Sequence, residues 1–306
     1  MKNINFVVTS DPQYPWTDKT DAQLYEDDSV AKKRSEALII EQYNNINNYA
    51  SRSNKNLVVL VNGDLTAFGH GYQRSKMSQL LNILKPPVRW GLGNHDIQNN
   101  YHDSANNGAA TDMMRMFINH YNSLTLTKKS WDVSVSKNTF RGSFNYSWDD
   151  GDFHFIQMHN FPGMTDYEFN KSRLSFSKTK IFMTWDKELF WLKKDIVNAI
   201  SMKKHIIINV HQPDGWPPEA HNDMKTVFYK YKDNIKAIFS GHYHQHYGYQ
   251  QKYTNYMGGN IPVFLSGSAS QRTYLICESD EEKLSVYLVT NNNWEKRKLE
   301  SVINLT

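Results

Sequence analysis

Leu57-Val58-Val59-Leu60-Val61-Asn62-Gly63-Asp64 opens with five apolar residues, three of them β-branched, and ends in a glycine and a carboxylate. So short a run without polar alternation reads as a strand buried on both faces, the kind found inside layered α/β domains. A charge has no place within such a strand. Asp64 therefore stands where the chain leaves the sheet, at the carboxyl end, where open α/β folds collect ligands. The pattern recurs four times. Phe6-Val7-Val8-Thr9 leads to Asp11 and Gln13, and Val88 to Leu92 leads to Gly93-Asn94-His95-Asp96. His205 to Val210 leads to His211, and Ile235 to Phe239 leads to Gly241-His242-Tyr243-His244.

Between these strands the apolar spacing turns helical. Ile39, Tyr43, Ile46 and Ala50 recur at intervals of four, three and four, which predicts a helix linking the first two strands. Met77, Leu80, Leu81 and Leu84 predict a second, stopped by Pro86-Pro87. Met113, Met114, Phe117 and Ile118 predict a short third, and Leu189, Leu192, Ile196 and Ile200 a fourth. Met224, Val227, Phe228 and Tyr231 predict a fifth. Residues 143–148 and 153–158 alternate about an acidic turn, a hairpin signal that ends at His159. The tail is β-rich: Pro262 to Leu265, Thr273 to Cys277 and Leu284 to Val289. Residues 17–28 read as an acidic surface loop, 97–111 as a long loop, and 161–183 as an excursion with the basic run Lys171, Arg173, Lys178 and Lys180. No linker divides the chain. The expectation is one α/β domain over 1–306, with two packed mixed sheets and helices outside.

Composition narrows the function. At 306 residues, 39% hydrophobic and 22% charged, the chain is long enough for a large core. A net charge of +4 does not announce a nucleic-acid binder. The single cysteine, Cys277, excludes an intrachain disulfide framework and a Cys-rich metal site, and its strand context marks it as a small core residue. No stretch approaches the roughly 20 apolar residues that span a bilayer. The start carries no secretory signal pattern. The expected location is cytoplasmic, with no membrane partner.

The polar exits together are Asp11, Gln13, Asp64, Asn94, His95, His211, His242 and His244. Taken singly, a histidine after a buried strand is an ordinary hydrogen-bonded loop residue. Five polar exits in one chain change that reading, because a core packed only for stability gains nothing from aligning aspartates and histidines at one sheet edge. Carboxylate, imidazole and amide donors suit Mn²⁺, Fe or Zn²⁺. They are too many for one tetrahedral ion and suggest two divalent cations about 3.5–4 Å apart. If locally extended, His242 and His244 point the same way. Gly63 and Gly241 permit close backbone approach. Asp96 is expected to accept from a ligand or catalytic imidazole, and Tyr14, Trp16, Trp216 and Tyr243 are candidates for a stacking wall.

Asp11-x-Gln13, Gly63-Asp64, Gly93-Asn94-His95-Asp96, His211 and Gly241-His242-x-His244 resemble, in order and spacing, the signature of the calcineurin-like metallophosphoesterases. The resemblance runs from about residue 6 to residue 246. It implies a four-layer α/β/β/α sandwich of two mixed sheets flanked by helices. It also implies that Asp11, Gln13, Asp64 and His244 hold one ion while Asp64, Asn94, His211 and His242 hold the other. Asp64 would bridge them, with a bridging hydroxide as nucleophile and His95 and Asp96 as the catalytic pair. Most of the family has His where this chain has Gln13. A weaker amide donor favours Mn²⁺ over Fe or Zn²⁺, and branches with this Gln resemble Mn²⁺-dependent ADP-ribose and CDP-alcohol pyrophosphatases. The expected activity is hydrolysis of a phosphoric ester or anhydride, with a small phosphorylated substrate such as a nucleotide derivative. The alternatives are a nuclease acting on DNA or RNA and a non-enzymatic binding protein on the same fold.

Overall fold

β1 (Asn5–Thr9) and β2 (Leu57–Val61) lie side by side in parallel, with Val8 opposite Leu60 and Thr9 opposite Val61. The computed structural model describes residues 4–53, 57–97, 108–130, 133–136, 139–163, 167–170, 178–182 and 185–306. Every residue of β1 and β2 is buried, which is why neither strand alternates in sequence.

Two helices connect them: α1 (Asp18–Asp21), capped by Thr17, and α2 (Asp28–Arg52). α2 buries the stripe Ile39, Tyr43 and Ile46, and the asparagines near its end lie inside the helix. α3 (Gly71–Leu81) leads to β3 (Val88–Trp90), which pairs in parallel with β2. α4 (Gly108–Ser123) follows. Residues 122–139, which have no clear pattern in sequence, supply β4 (Thr127–Lys129) and β5 (Ser134–Ser136), with β6 (Thr139–Arg141) just beyond. The hairpin is β7 (Tyr146–Asp150) and β8 (Phe153–Gln157). β9 (Tyr167–Asn170) and β10 (Lys178–Phe182) pair with each other, and β10 also with β6. Of the basic run, Lys171 and Arg173 lie outside the described residues, while Lys178 and Lys180 fall on β10. Most of the asparagine-rich stretch after His95, residues 98–107, is also outside them.

α5 (Trp185–Ser201), β11 (His205–Asn209), α6 (Pro218–Tyr231) and β12 (Ile235–Ser240) form the next unit. β13 (Tyr247–Tyr249), α7 (Gln251–Met257) and β14 (Val263–Ser266) follow, then β15 (Tyr274–Ser279), β16 (Lys283–Val289) and β17 (Lys298–Asn304). Cys277 on β15 is buried, and burial raises its thiol pKa, as befits a core residue.

Two mixed sheets carry the fold. One runs β17-β16-β15-β1-β2-β3 and the other β13-β14-β12-β11-β8-β7-β4; β5, β6, β10 and β9 make a small third. Phe6 of the first sheet meets Phe155 and Phe239 of the second edge-on, at 5.1 and 5.7 Å between ring centroids, so the two sheets share a core. The second sheet alternates between two apolar clusters. Phe155, Ile207 and Phe239 face the first sheet, while Ile156, Ile208 and Ile238 join α5 and α6 residues such as Leu192 and Val227. β1, β2 and β3 are mutually parallel neighbours, as are β8, β11 and β12. Their carboxyl ends therefore gather the five polar exits.

Candidate metal centre

The backbone beyond the strand ends stays paired, and this sets the site. Asp11 N donates to Gly63 O at 3.1 Å, Gln13 N to Asp64 O at 2.9 Å and Tyr14 N to Leu65 O at 3.2 Å, so the β1 and β2 exits run on together. In the other sheet Gly241 N donates to His211 O at 2.9 Å. A Cβ on Gly63, which has φ +88°, would lie 2.6 Å from His211 Nδ1, and one on Gly241 would lie 2.5 Å from Asp11 Oδ2. Only glycine permits either approach. Asp11, Gln13, Asp64 and His242 have φ of 51°, 37°, 50° and 72°. Left-handed backbone at a non-glycine residue costs on the order of 1–2 kcal/mol, and it clusters where a site dictates side-chain aim.

Asp64, His211 and His242 present ligand atoms that all lie within 4.8 Å of one another. His211 Nε2 is 3.2 Å from Asp64 Oδ2 and 3.0 Å from Asn94 Oδ1, and His242 Nδ1 is 2.9 Å from the same amide oxygen. On the other flank His244 Nε2 is 3.5 Å from Asp11 Oδ1. That Asp11 oxygen and both amide atoms of Gln13 are buried without a hydrogen-bond partner. Leaving such groups unmatched costs roughly 1–3 kcal/mol each, and a cation would match the two acceptors among them, Asp11 Oδ1 and Gln13 Oε1. Asp64, His211 and His242 thus make a candidate site for a divalent cation. His242 and His244 are not in an extended segment as expected; the left-handed turn at His242 lets one imidazole reach each flank.

Charge is shared in the same way. Burial opposes ionisation of Asp64, yet the neighbouring His211 and His95 outweigh it and hold the carboxyl below its usual range. Burial also opposes the His211 imidazolium, but Asp64 and Asp11 raise it to about 9. His244 rises to about 10 against its burial, through Asp11 and Asp21. His242 is pushed down to about 4 by burial and by the His211 charge.

The expected pairing of His95 with Asp96 takes a different form. His95 Nδ1 lies 2.8 Å from the Ala67 carbonyl, and a carbonyl can only accept, so Nδ1 carries the hydrogen and Nε2 is left free to act. Asp96 instead accepts from the backbone N–H groups of Gly93, Leu65 and Thr66 at 3.0, 3.2 and 3.2 Å. It ties the β2 and β3 exits together, and burial with the nearby Asp64 charge pushes its carboxyl up to about 7. His95 N also donates to Asp64 Oδ1 at 2.8 Å.

Of the four aromatics expected to form a wall, two line the site: the Trp16 ring lies 5.4 Å from His95 and 5.8 Å from His244, and the Tyr243 ring lies 4.7 Å from His242. Tyr14 is buried against Tyr72, Trp216 is buried against Tyr256, and Tyr243 stacks on Tyr253. Phe68, 41% exposed and 6.1 Å from His95, is a further aromatic neighbour of that imidazole, without having been singled out in sequence. His159 is buried and structural: it accepts from Leu92 N at 2.9 Å and meets Phe144 O at 2.7 Å, holding the β3 exit. The cleft at these exits measures about 510 Å³ and is lined by Gln13, Trp16, Asp21, His95, His242 and His244 among others. Asp21, read in sequence as part of a surface loop, is the site residue that pattern alone misses.

Residues 4–246 match the family model described as calcineurin-like phosphoesterase. No curated protein sequence matches the chain. Among solved structures, Vacuolar Protein Sorting 29 from Cryptosporidium parvum is similar at 9% identity and TM-score 0.37, covering 99% of this chain and 98% of that one. A conserved uncharacterized protein from Streptococcus pneumoniae TIGR4, described as a predicted phosphoesterase, is similar at 13% identity and TM-score 0.37, covering 99% of each chain. A protein serine/threonine phosphatase from Saccharomyces cerevisiae is similar at 12% identity and TM-score 0.33, covering 90% of this chain and 72% of that one. Among the described residues no helix is long and apolar enough to cross a membrane.

Proposed function

We infer the reaction from one premise: the chain belongs to the calcineurin-like phosphoesterase family. The proposed activity is metal-dependent hydrolysis of a phosphate ester or anhydride at a centre of two divalent cations. Asp11, Gln13, Asp64 and His244 would hold one ion and Asp64, Asn94, His211 and His242 the other. The observation that carries this reading is the convergence of Asp64, His211 and His242, joined by Asp11 Oδ1 and the Gln13 amide, which are buried without hydrogen-bond partners at the adjoining β1 exit. When bound, such cations lower the pKa of a coordinated water and offset charge on the phosphoryl oxygens.

The chain's own groups do the rest. His95 holds its Nδ1 hydrogen on Ala67 O, so its protonated form presents the second hydrogen from Nε2 toward a departing oxygen. Asp96 keeps the Asn94-His95 turn against the β2 exit through three backbone bonds. Trp16 and Phe68 both meet the His95 ring edge-on, so a flat leaving group near His95 would meet aromatic surface. With Gln13 the weaker donor, Mn²⁺ is the proposed ion, and a nucleotide diphosphate derivative, whose second phosphate would help hold the looser ion, is the proposed substrate. The test is kcat/KM with Mn²⁺ for ADP-ribose, CDP-choline, bis-p-nitrophenyl phosphate and p-nitrophenyl phosphate. Preference for the first two supports the pyrophosphatase reading, and preference for the monoester refutes it.

A further inference from the structure

Behind His244, on the side away from Asp11, four donors converge on one carboxylate. Asp21 ends α1, and its side chain is only 5% exposed. Its Oδ1 accepts from His244 Nδ1 at 2.6 Å and from Trp16 Nε1 at 2.7 Å. Its Oδ2 accepts from Ser270 Oγ at 2.5 Å and from Gln271 Nε2 at 2.7 Å. A carboxylate on Nδ1 fixes the hydrogen there and leaves Nε2, the nitrogen facing Asp11, as the lone pair for a cation. The same oxygen restrains Trp16, whose backbone N donates to Gln13 O at 2.8 Å. One carboxylate thus sets both the imidazole and the loop that carries the amide. Ser270 and Gln271 lie just before β15, so the anchor reaches the antiparallel half of the first sheet.

We propose that Asp21 is the positioning residue of the first cation site, orienting His244 directly and the Gln13 loop through Trp16. This rests on the two-ion reading above. In that site Gln13 supplies an amide where an imidazole would bind more strongly, so the remaining nitrogen donor must be held in register. A carboxylate behind a metal-bound histidine does so and also raises its basicity.

Titration calorimetry with Mn²⁺ on the chelator-stripped full chain tests this, without recourse to catalysis. Wild type should show two sites. Asp21→Ala should weaken one of them about 10- to 100-fold, the usual effect of removing such a partner, and leave the other unchanged. Asp21→Asn, which keeps an acceptor but not the charge, should fall between and carries the test if the alanine variant does not fold. Ser270→Ala removes a donor to Asp21 but not the His244 contact, and should bind Mn²⁺ as wild type does. Wild-type affinity at both sites in the Asp21 variants would overturn the proposal, as would equal weakening by Ser270→Ala. A wild type that takes up no Mn²⁺ would instead overturn the two-ion reading, and this inference with it.

Discussion

His211 Nδ1 donates to the main-chain carbonyl of Asn62 at 2.8 Å, joining the exit of β11 to the exit of β2. The bond fixes the imidazole so that Nε2 faces Asp64 at 3.2 Å. The Asn62 side chain reinforces it by donating to Phe239 O at 2.7 Å. The two sheets are thus held together at the point where their carboxyl ends present donors. A centre assembled across such a seam should be sensitive to protonation, charge and donor type, each separately measurable.

Protonation comes first. The folded-state values of His211 and His244 are raised from 6.5 to about 9 and about 10. Their imidazolium contacts with carboxylates therefore stabilise the metal-free fold fully below pH 6.5, and this is lost as pH rises through 9 to 10. A ligand imidazole must be neutral, so binding near neutral pH expels a proton from each, whereas His242, lowered to about 4, expels none. Mn²⁺ affinity should rise with pH, by up to about tenfold per unit for each proton released. Calorimetry in buffers of different ionisation enthalpy should find about two protons released; none released would contradict this assignment.

Asp64 Oδ2 lies 3.2 Å from His211 Nε2, and the proposed assignment gives this carboxylate to both ions. Asp64→Asn removes the charge that the two proposed cations would share and should cost both much of their affinity. Elemental analysis of the purified variant is the check. An unchanged metal content would show that Asp64 does not bridge.

His95 is predicted to move a proton and to hold no metal. His95→Ala should lower turnover about 10²–10⁴-fold with metal content intact. The loss should be smaller for p-nitrophenyl esters than for alkyl esters, since a good leaving group needs little protonation. Equal losses would remove the acid role, and lost metal would make His95 a ligand.

The strand exits were legible because buried parallel strands carry unbroken apolar runs, and a polar residue at the end of one stands out. What lay beyond the strands was not. Asp21 sits in an acidic stretch whose composition resembles solvated surface, and its partners Ser270 and Gln271 are about 250 residues away in sequence. The partner of His95 Nδ1 is a backbone carbonyl, which leaves no trace in residue type, so Asp96 stood in for it by adjacency. The turns at Asp11, Gln13, Asp64 and His242 have left-handed φ without glycine, so the alternation rule for His242 and His244 did not apply. Tyr14 and Trp216 are near ligands in sequence but satisfied by packing.

Gln13 should tune the centre. Gln13→His supplies a stronger donor beside Asp11 and His244. It should tighten that ion and shift preference from Mn²⁺ toward Zn²⁺ or Fe. Competition between Mn²⁺ and Zn²⁺ in wild type and variant reads this directly. An unchanged selectivity would place Gln13 outside the coordination sphere.

The central claim is that bound divalent cations make this chain a hydrolase. The direct measurement is to strip the protein with chelator, titrate in Mn²⁺, and follow bound metal and hydrolysis of bis-p-nitrophenyl phosphate together. Activity should be absent without metal and should reach its plateau as two ions per chain bind. Full occupancy with no hydrolysis of this diester, of p-nitrophenyl phosphate or of nucleotide diphosphate derivatives would contradict it, leaving a metal-binding protein that is not a phosphoesterase.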